Sequence, residues 1–265
     1  MTLEGPARSD RVVTRQDLDI ARSRPQTPLL VDWTTIERLI DRSGDTYLWH
    51  TVPRTPWNES SLMREHIESR GLDPDVRLAH GAVGLIYALQ SEYARDSDLF
   101  IRGVDEVRYI APVFEGEHLR AEILDEESGM RFEVRTEGSR SHAAILGRIL
   151  VGALAEAHGA EHFVSVQEQQ LFSLEQAIGL VSALIGSSIE SIGGRVLYMG
   201  QRLELEGLVS IGDHLEASTA VVARRPGRRT GERVTTRVEV RDRTADVRIA
   251  HGESYFLYMD RPDRE

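Results

Sequence analysis

Ala82-Val83-Gly84-Leu85-Ile86-Tyr87-Ala88-Leu89 is answered, 95 residues later, by Ala177-Ile178-Gly179-Leu180-Val181-Ser182-Ala183-Leu184. Each stretch sits inside a longer helical pattern. From about Gly81 to Ala94, the residues Ala82, Leu85, Ile86, Leu89 and Tyr93 share one stripe. From Leu174 to Ile192, apolar positions recur at 177, 178, 181, 184, 185, 189 and 192, with Ser173 as the expected N-cap and Gln176 three residues on. A second block repeats at almost the same distance. Val113, Gly116, Glu117, His118, Leu119 and Ala121 match Val209, Gly212, Asp213, His214, Leu215 and Ala217 at an offset of 96. Two blocks held at one spacing point to an internal duplication rather than to apolar helices that share letters by chance.

Outward from the helices, the pattern switches to short strands. They are expected at about 99–110, 117–125, 130–137 and 142–153 after the first helix, punctuated by Pro112, Gly116, Gly129 and Gly138. After the second helix they are expected at about 195–206, 213–224, 231–242 and 245–258, and in the first of these Leu197, Met199, Leu203 and Leu205 alternate onto one face. Phe163 to Leu171 reads as a strand leading into the second helix. The predicted fold is α+β: two tandem units, each a long central helix wrapped by a curved antiparallel sheet. The units span 29–158 and 159–265. Residues 1–28 read as a flexible arm, because charges alternate and Pro25 and Pro28 interrupt any helix. A short helix carrying Ile36, Leu39 and Ile40 follows, capped by Thr34 or Thr35 and ended by Gly44. Residues 51–77, with Pro53, Pro56, Trp57 and Pro74, read as an irregular excursion holding one helical piece near Met63 to Glu68.

Composition limits the function. The chain has 265 residues, 40% hydrophobic and 28% charged, which is ordinary for a globular protein. With 32 basic against 43 acidic side chains the net charge is −11, which disfavours nucleic acid and anionic membrane surfaces as partners. There is no cysteine, so thiolate catalysis, disulfides and cysteine metal centres are excluded. No cofactor or metal is expected. No apolar run reaches the roughly 18 residues of a membrane span, the first residues carry no signal-peptide core, and a cytoplasmic protein is expected.

Chemistry concentrates ahead of the first helix. Ser43-Gly44-Asp45-Thr46-Tyr47-Leu48-Trp49-His50 places a carboxylate and an imidazole five residues apart, and Leu78-Ala79-His80-Gly81 leads into the helix. The second copy has Glu175-Gln176 where the first has His80-Gly81, and only about a dozen residues in place of the first copy's lead segment. Asp45 read alone is equally a turn residue, and His80 fits a capping or loop-orienting role better than proton transfer. The Glu175 and Glu190 carboxylates read as surface or capping groups.

The duplicated helix-in-sheet pattern, Ser43-Gly44-Asp45 followed by His50, and Ala79-His80-Gly81 together resemble the double hot-dog proteins of the MaoC-like dehydratase and R-specific enoyl hydratase group. The family motif runs roughly Ser-Gly-Asp-x-Asn-Pro-x-His, so Tyr47 and Leu48 depart from its Asn and Pro. The resemblance implies a reversible hydro-lyase acting on a trans-2-enoyl or (R)-3-hydroxyacyl thioester of coenzyme A or acyl carrier protein. On this basis Asp45 and His50 are the expected acid–base pair around a water, and the Gly81 backbone N–H is the expected donor to the enolate oxygen. Tyr47, Trp49 and Trp57 are candidate walls of the acyl tunnel, and His80 is a candidate substrate neighbour. Arg224, Arg225, Arg228 and Arg229 are most simply a solvated hairpin tip, or else a landing site for phosphates or an acidic carrier. The two halves form a pseudo-dimer, which leaves homodimerisation open. Addition of another nucleophile, thioester hydrolysis and a catalytically silent thioester-binding subunit are the alternatives.

Overall fold

The computed structural model describes residues 7–23, 27–43, 61–73, 75–126, 129–137, 141–154, 160–192, 196–227 and 231–258. The elements ahead of the first long helix are β1 (Ala7–Val12), α1 (Arg15–Arg22), β2 (Leu29–Leu30), α2 (Trp33–Ser43), α3 (Ser61–Arg70) and β3 (Leu78–Ala79). The first long helix is α4 (Gly81–Arg95), followed by β4 (Ile101–Tyr109), β5 (Val113–Phe114), β6 (His118–Glu126), β7 (Gly129–Glu137) and β8 (Ala143–Val151). The second is α5 (Val166–Ile192), followed by β9 (Val196–Leu205), β10 (His214–Pro226), β11 (Glu232–Asp242) and β12 (Val247–Tyr258).

Ten strands form one antiparallel sheet in the order β1-β10-β11-β12-β9-β4-β8-β7-β6-β2. The order reads the same from either edge once the repeat is applied. β9, β10, β11 and β12 take the places of β4, β6, β7 and β8, and the halves join where β4 pairs with β9. Inside this sheet α4 and α5 pack on one another. Every residue from Ala82 to Leu89 and from Leu171 to Ile185 is buried, as for helices enclosed on all sides. No described helix is long and apolar enough to cross a membrane.

The duplication extends to atoms. Gly116 and Gly212 both turn with positive φ, at +90° and +100°. One residue on, Glu117 accepts the Phe114 N–H at 2.8 Å and Asp213 accepts the Ser210 N–H at 2.7 Å. The same turns receive incoming chain in the same way. Val31 donates to Glu117 O and accepts from Gly116 N, while Val13 donates to Asp213 O and accepts from Gly212 N. Each valine is followed by a capped helix: Asp32 accepts the Thr35 N–H at 2.8 Å ahead of α2, and Thr14 with Asp17 forms a capping box on α1.

Residues 7–23 are therefore not a loose arm. They supply the second half with the edge strand and cap helix that β2 and α2 supply to the first. β1 pairs with β10 over six residues, Leu18 is fully buried, and Arg22 forms two hydrogen bonds to Glu168 at 2.8 and 3.0 Å. The charged stretch is an edge strand whose partner lies some 200 residues away, and no local pattern records that pairing.

Three further expectations change. Phe163 to Leu171 is not a strand, because α5 begins at Val166, with the Ser165 hydroxyl accepting the Glu168 N–H at 3.1 Å. Ser173 is not a cap. It lies within the helix, donates to Gln169 O at 2.6 Å and accepts the Val209 N–H at 2.8 Å. The cap of α2 likewise falls on Asp32 rather than Thr34 or Thr35.

Gly200 marks the seam between the halves. A Cβ there would lie 1.9 Å from Val107 O, so only glycine lets β9 approach β4 this closely. Gly200→Ala is expected to destabilise the protein by about 1–3 kcal/mol through overpacking, read as a lower urea midpoint at unchanged slope.

Candidate active site

The site is organised by the start of α4. β3 pairs with β5 and delivers the chain to His80, which caps the helix with φ −66° and ψ 140°. Its Nδ1 accepts the Ala82 N–H at 3.0 Å and its carbonyl accepts the Val83 N–H at 2.9 Å. An accepting Nδ1 places the neutral imidazole's proton on Nε2. His80 thus takes the second and third N–H groups of the helix. The first belongs to Gly81, which has no carbonyl partner within the helix, so it points outward with the positive end of the macrodipole. A Cβ at Gly81 would lie 2.4 Å from the Tyr109 ring, so glycine lets that ring lie against the backbone.

Around this point the seam carries an aromatic and polar wall. Tyr109 of β4 stands 4.9 Å from Tyr198 of β9, centroid to centroid, and Tyr198 stands 5.4 Å from Phe256 of β12 and 6.5 Å from the His80 ring. Tyr198 donates to Gln201 Oε1 at 2.7 Å. Residues three apart on a regular strand face opposite ways. Here the register of β9 against β12 jumps between Tyr198 and Gly200, leaving Met199 as the extra residue. The bulge turns Tyr198 and Gln201 to the same inner face and leaves Met199 42% exposed. Met199 is therefore not on the inner face, contrary to simple alternation.

Gln201 pairs across the sheet with Ser254, and Ser254 with Thr236, so three polar side chains form one buried row. Among the described residues, Tyr109 Oη, Gln201 Nε2, Ser254 Oγ and Thr236 Oγ1 are buried without a well-formed hydrogen bond. Burial raises the pKa of both phenols. At Tyr198 the nearby Tyr109 adds to the rise and Ser254 offsets part of it; at Tyr109 it is Tyr198 that offsets part of it. A folded-state pKa above the unfolded one stabilises the fold below the unfolded value, near 10, and that contribution is lost as pH rises beyond it. The urea midpoint is expected to fall between pH 9 and pH 11, and to fall less in Tyr198→Phe.

Asp45, His50, Tyr47, Trp49 and Trp57 lie outside the described residues, as do Arg228 and Arg229. Of the remaining expected site residues, His80 and Gly81 share the wall just described. Arg224 and Arg225 do not touch it. Both are exposed near the end of β10; Arg224 pairs with Glu232 at 2.6 Å and lies 5.9 Å over the Tyr258 ring. Arg224 does belong to the cross-strand row Arg224–Val234–Phe256–Tyr198, about 14 Å along the sheet from Tyr198 at the usual strand spacing.

Sequence reasoning missed Tyr109, Tyr198, Gln201, Ser254 and Glu175. Gly200 in mid-strand was the available sign of a bulge. Glu175 is only 1% exposed, not a surface group, and accepts from Gln90 Nε2 at 3.0 Å. It lines a cavity of about 150 Å³ with Leu18, Arg22, Gln90, Tyr93 and Phe172. The repeat places Glu175 where the first half has His80, so this cavity is the second half's counterpart of the α4 site, roofed by α1. The continuous α5 leaves no exposed N–H there, since Gln176 lies ten residues inside the helix.

No protein-family model matches the sequence, and no curated protein matches it. Solved structures do. The dehydratase domain from the CurJ module of curacin polyketide synthase is 9% identical over 70% of this chain and 84% of that one, with a TM-score of 0.51. A trans-acyltransferase polyketide synthase enoyl-isomerase is 13% identical over 69% and 91%, with a TM-score of 0.48. The R-hydratase PhaJ1 of Pseudomonas aeruginosa is 26% identical over 31% of this chain and 51% of its own, with a TM-score of 0.26. The likeness to the CurJ domain is one of fold: the chain is an α+β double hot-dog.

Proposed function

We propose that the protein is a hydro-lyase interconverting trans-2-enoyl and (R)-3-hydroxyacyl thioesters. The observation that carries this reading is the Gly81 N–H. It heads a buried helix, its two successors are taken by His80, and the ring of Tyr109 walls the space beside it. Such a donor suits the oxygen of a thioester enolate, where charge develops as water adds. Asp45 and His50 supply the proton transfers: one takes a proton from water as the oxygen bonds to C3, and the other delivers a proton to C2. Tyr47, Trp49 and Trp57 line the acyl tunnel.

The substrate is carried by coenzyme A or an acyl carrier protein. Arg224, with Arg225, Arg228 and Arg229, receives the carrier's phosphates, a reading supported by the cross-strand row that Arg224 shares with Tyr198. The net charge of −11 disfavours nucleic acid. Purified protein is expected to deplete crotonyl-CoA or a longer enoyl-CoA, followed by loss of enoyl absorbance, with formation of the 3-hydroxyacyl product. Release of free coenzyme A would instead make it a thioesterase. Binding without turnover would make it a silent thioester-binding subunit.

A further inference from the structure

Buried polar atoms in native proteins are nearly always paired, because one left unpaired loses its hydration without recovering a hydrogen bond. This protein collects several in one place. Gln201 Nε2 and Thr236 Oγ1 are buried without a partner among the described residues, and Tyr109 Oη and Ser254 Oγ, which face Tyr198, are buried without a well-formed hydrogen bond. Gln201 is 1% exposed and Ser254 0%. They do not belong to separate accidents of packing. Thr236, Ser254 and Gln201 are consecutive cross-strand neighbours on β11, β12 and β9; Gln201 is tied to Tyr198; and Tyr198 stacks on Tyr109, whose ring lies against Gly81. The row leads from the start of α4 into the sheet interior, and the bulge at Met199 is what turns Tyr198 into it.

We infer that this row is the distal part of the acyl site, and that it selects thioesters whose acyl chain carries a hydroxyl or carbonyl oxygen beyond C3 over plain alkyl ones. The inference rests on the proposed thioester function. The chemistry of the row fits an oxygen: the phenol, the two hydroxyls and the amide N–H all donate, while a hydroxyl can also accept. An alkyl chain in the same place would leave those donors unpaired, and a site built to bond a polar group discriminates strongly against an analogue that lacks it. Phe256 packs on Tyr198 and supplies an apolar flank for the chain itself.

The test compares two enoyl-CoA substrates of equal length, one alkyl and one with an oxygen beyond C3. Turnover and calorimetric Kd are measured for wild type, Ser254→Ala and Thr236→Val. Wild type is expected to favour the oxygenated thioester by about 100-fold or more in kcat/KM, with the preference shrinking at least tenfold in each variant. Tm should hold or rise, because an isosteric apolar group replaces an unpaired polar one. A residue needed only for folding would lower Tm and leave the preference unchanged, which overturns the inference. Equal wild-type kcat/KM and equal Kd for the two substrates also overturn it, and mean that buried water alone meets these groups. If neither substrate turns over but the Kd preference is present and lost in the variants, the selectivity stands and the hydration chemistry falls.

Discussion

Asp45→Asn is expected to lower kcat on an enoyl thioester by about 100-fold or more, with little change in KM. The substitution keeps the shape of the side chain and removes its ability to take up a proton. General acid–base groups contribute factors of about 10²–10⁴, so a loss of 100-fold, about 2.7 kcal/mol of barrier, is the lower end. His50→Ala is expected to fall by a similar factor. The double variant should be only slightly worse than either single one, because two groups acting on one water fail together. Initial rates from enoyl absorbance, with calorimetric binding of a saturated thioester, separate loss of chemistry from loss of binding. Wild-type rates in Asp45→Asn would remove that residue from the mechanism.

Gly81→Ala is expected to cost about 100- to 1000-fold in kcat. The added methyl would sit 2.4 Å from a ring carbon of Tyr109, so either the ring leaves its place or the start of α4 shifts. Both outcomes displace the one helix N–H that His80 does not claim. Removing an oxyanion donor elsewhere costs about 2.7–4 kcal/mol. Alanine is also a better helix former than glycine, so a loss of activity with little loss of Tm would locate the effect in the site. Gln176→Ala, at the position related to Gly81 by the repeat, should leave kcat unchanged because no helix begins there.

The sequence made the two helices, eight of the strands and their repetition legible because each is local. Apolar residues at helical spacing and alternating strands between glycines and prolines need no knowledge of partners. The His80-Gly81 entry to α4 was readable for the same reason. What stayed hidden depends on distant contacts. Nothing in the charges of residues 7–23 reveals that β1 closes the second half of the sheet, although Thr14-x-x-Asp17 carries a legible capping box. The chain entering α5 carries Phe163, Val164 and Val166, a β-prone cluster that the tertiary setting overrides. Strict alternation in β9 put Met199 inward, and only the bulge against β12 exchanges it for Tyr198. Glu175 looked exposed by composition and is buried because α4 and α1 cover it.

Hydration by this route requires convergence: the carboxylate of Asp45, the imidazole of His50 and the N–H of Gly81 must meet at one reacting thioester. A crystal structure with a bound, non-hydrolysable 3-hydroxyacyl thioester analogue measures this directly. The prediction is a thioester oxygen about 2.7–3.1 Å from Gly81 N, with Asp45 and His50 both within hydrogen-bond reach of the C3 hydroxyl or of one water beside it. A thioester bound away from α4, or Asp45 and His50 turned into separate environments, would contradict it.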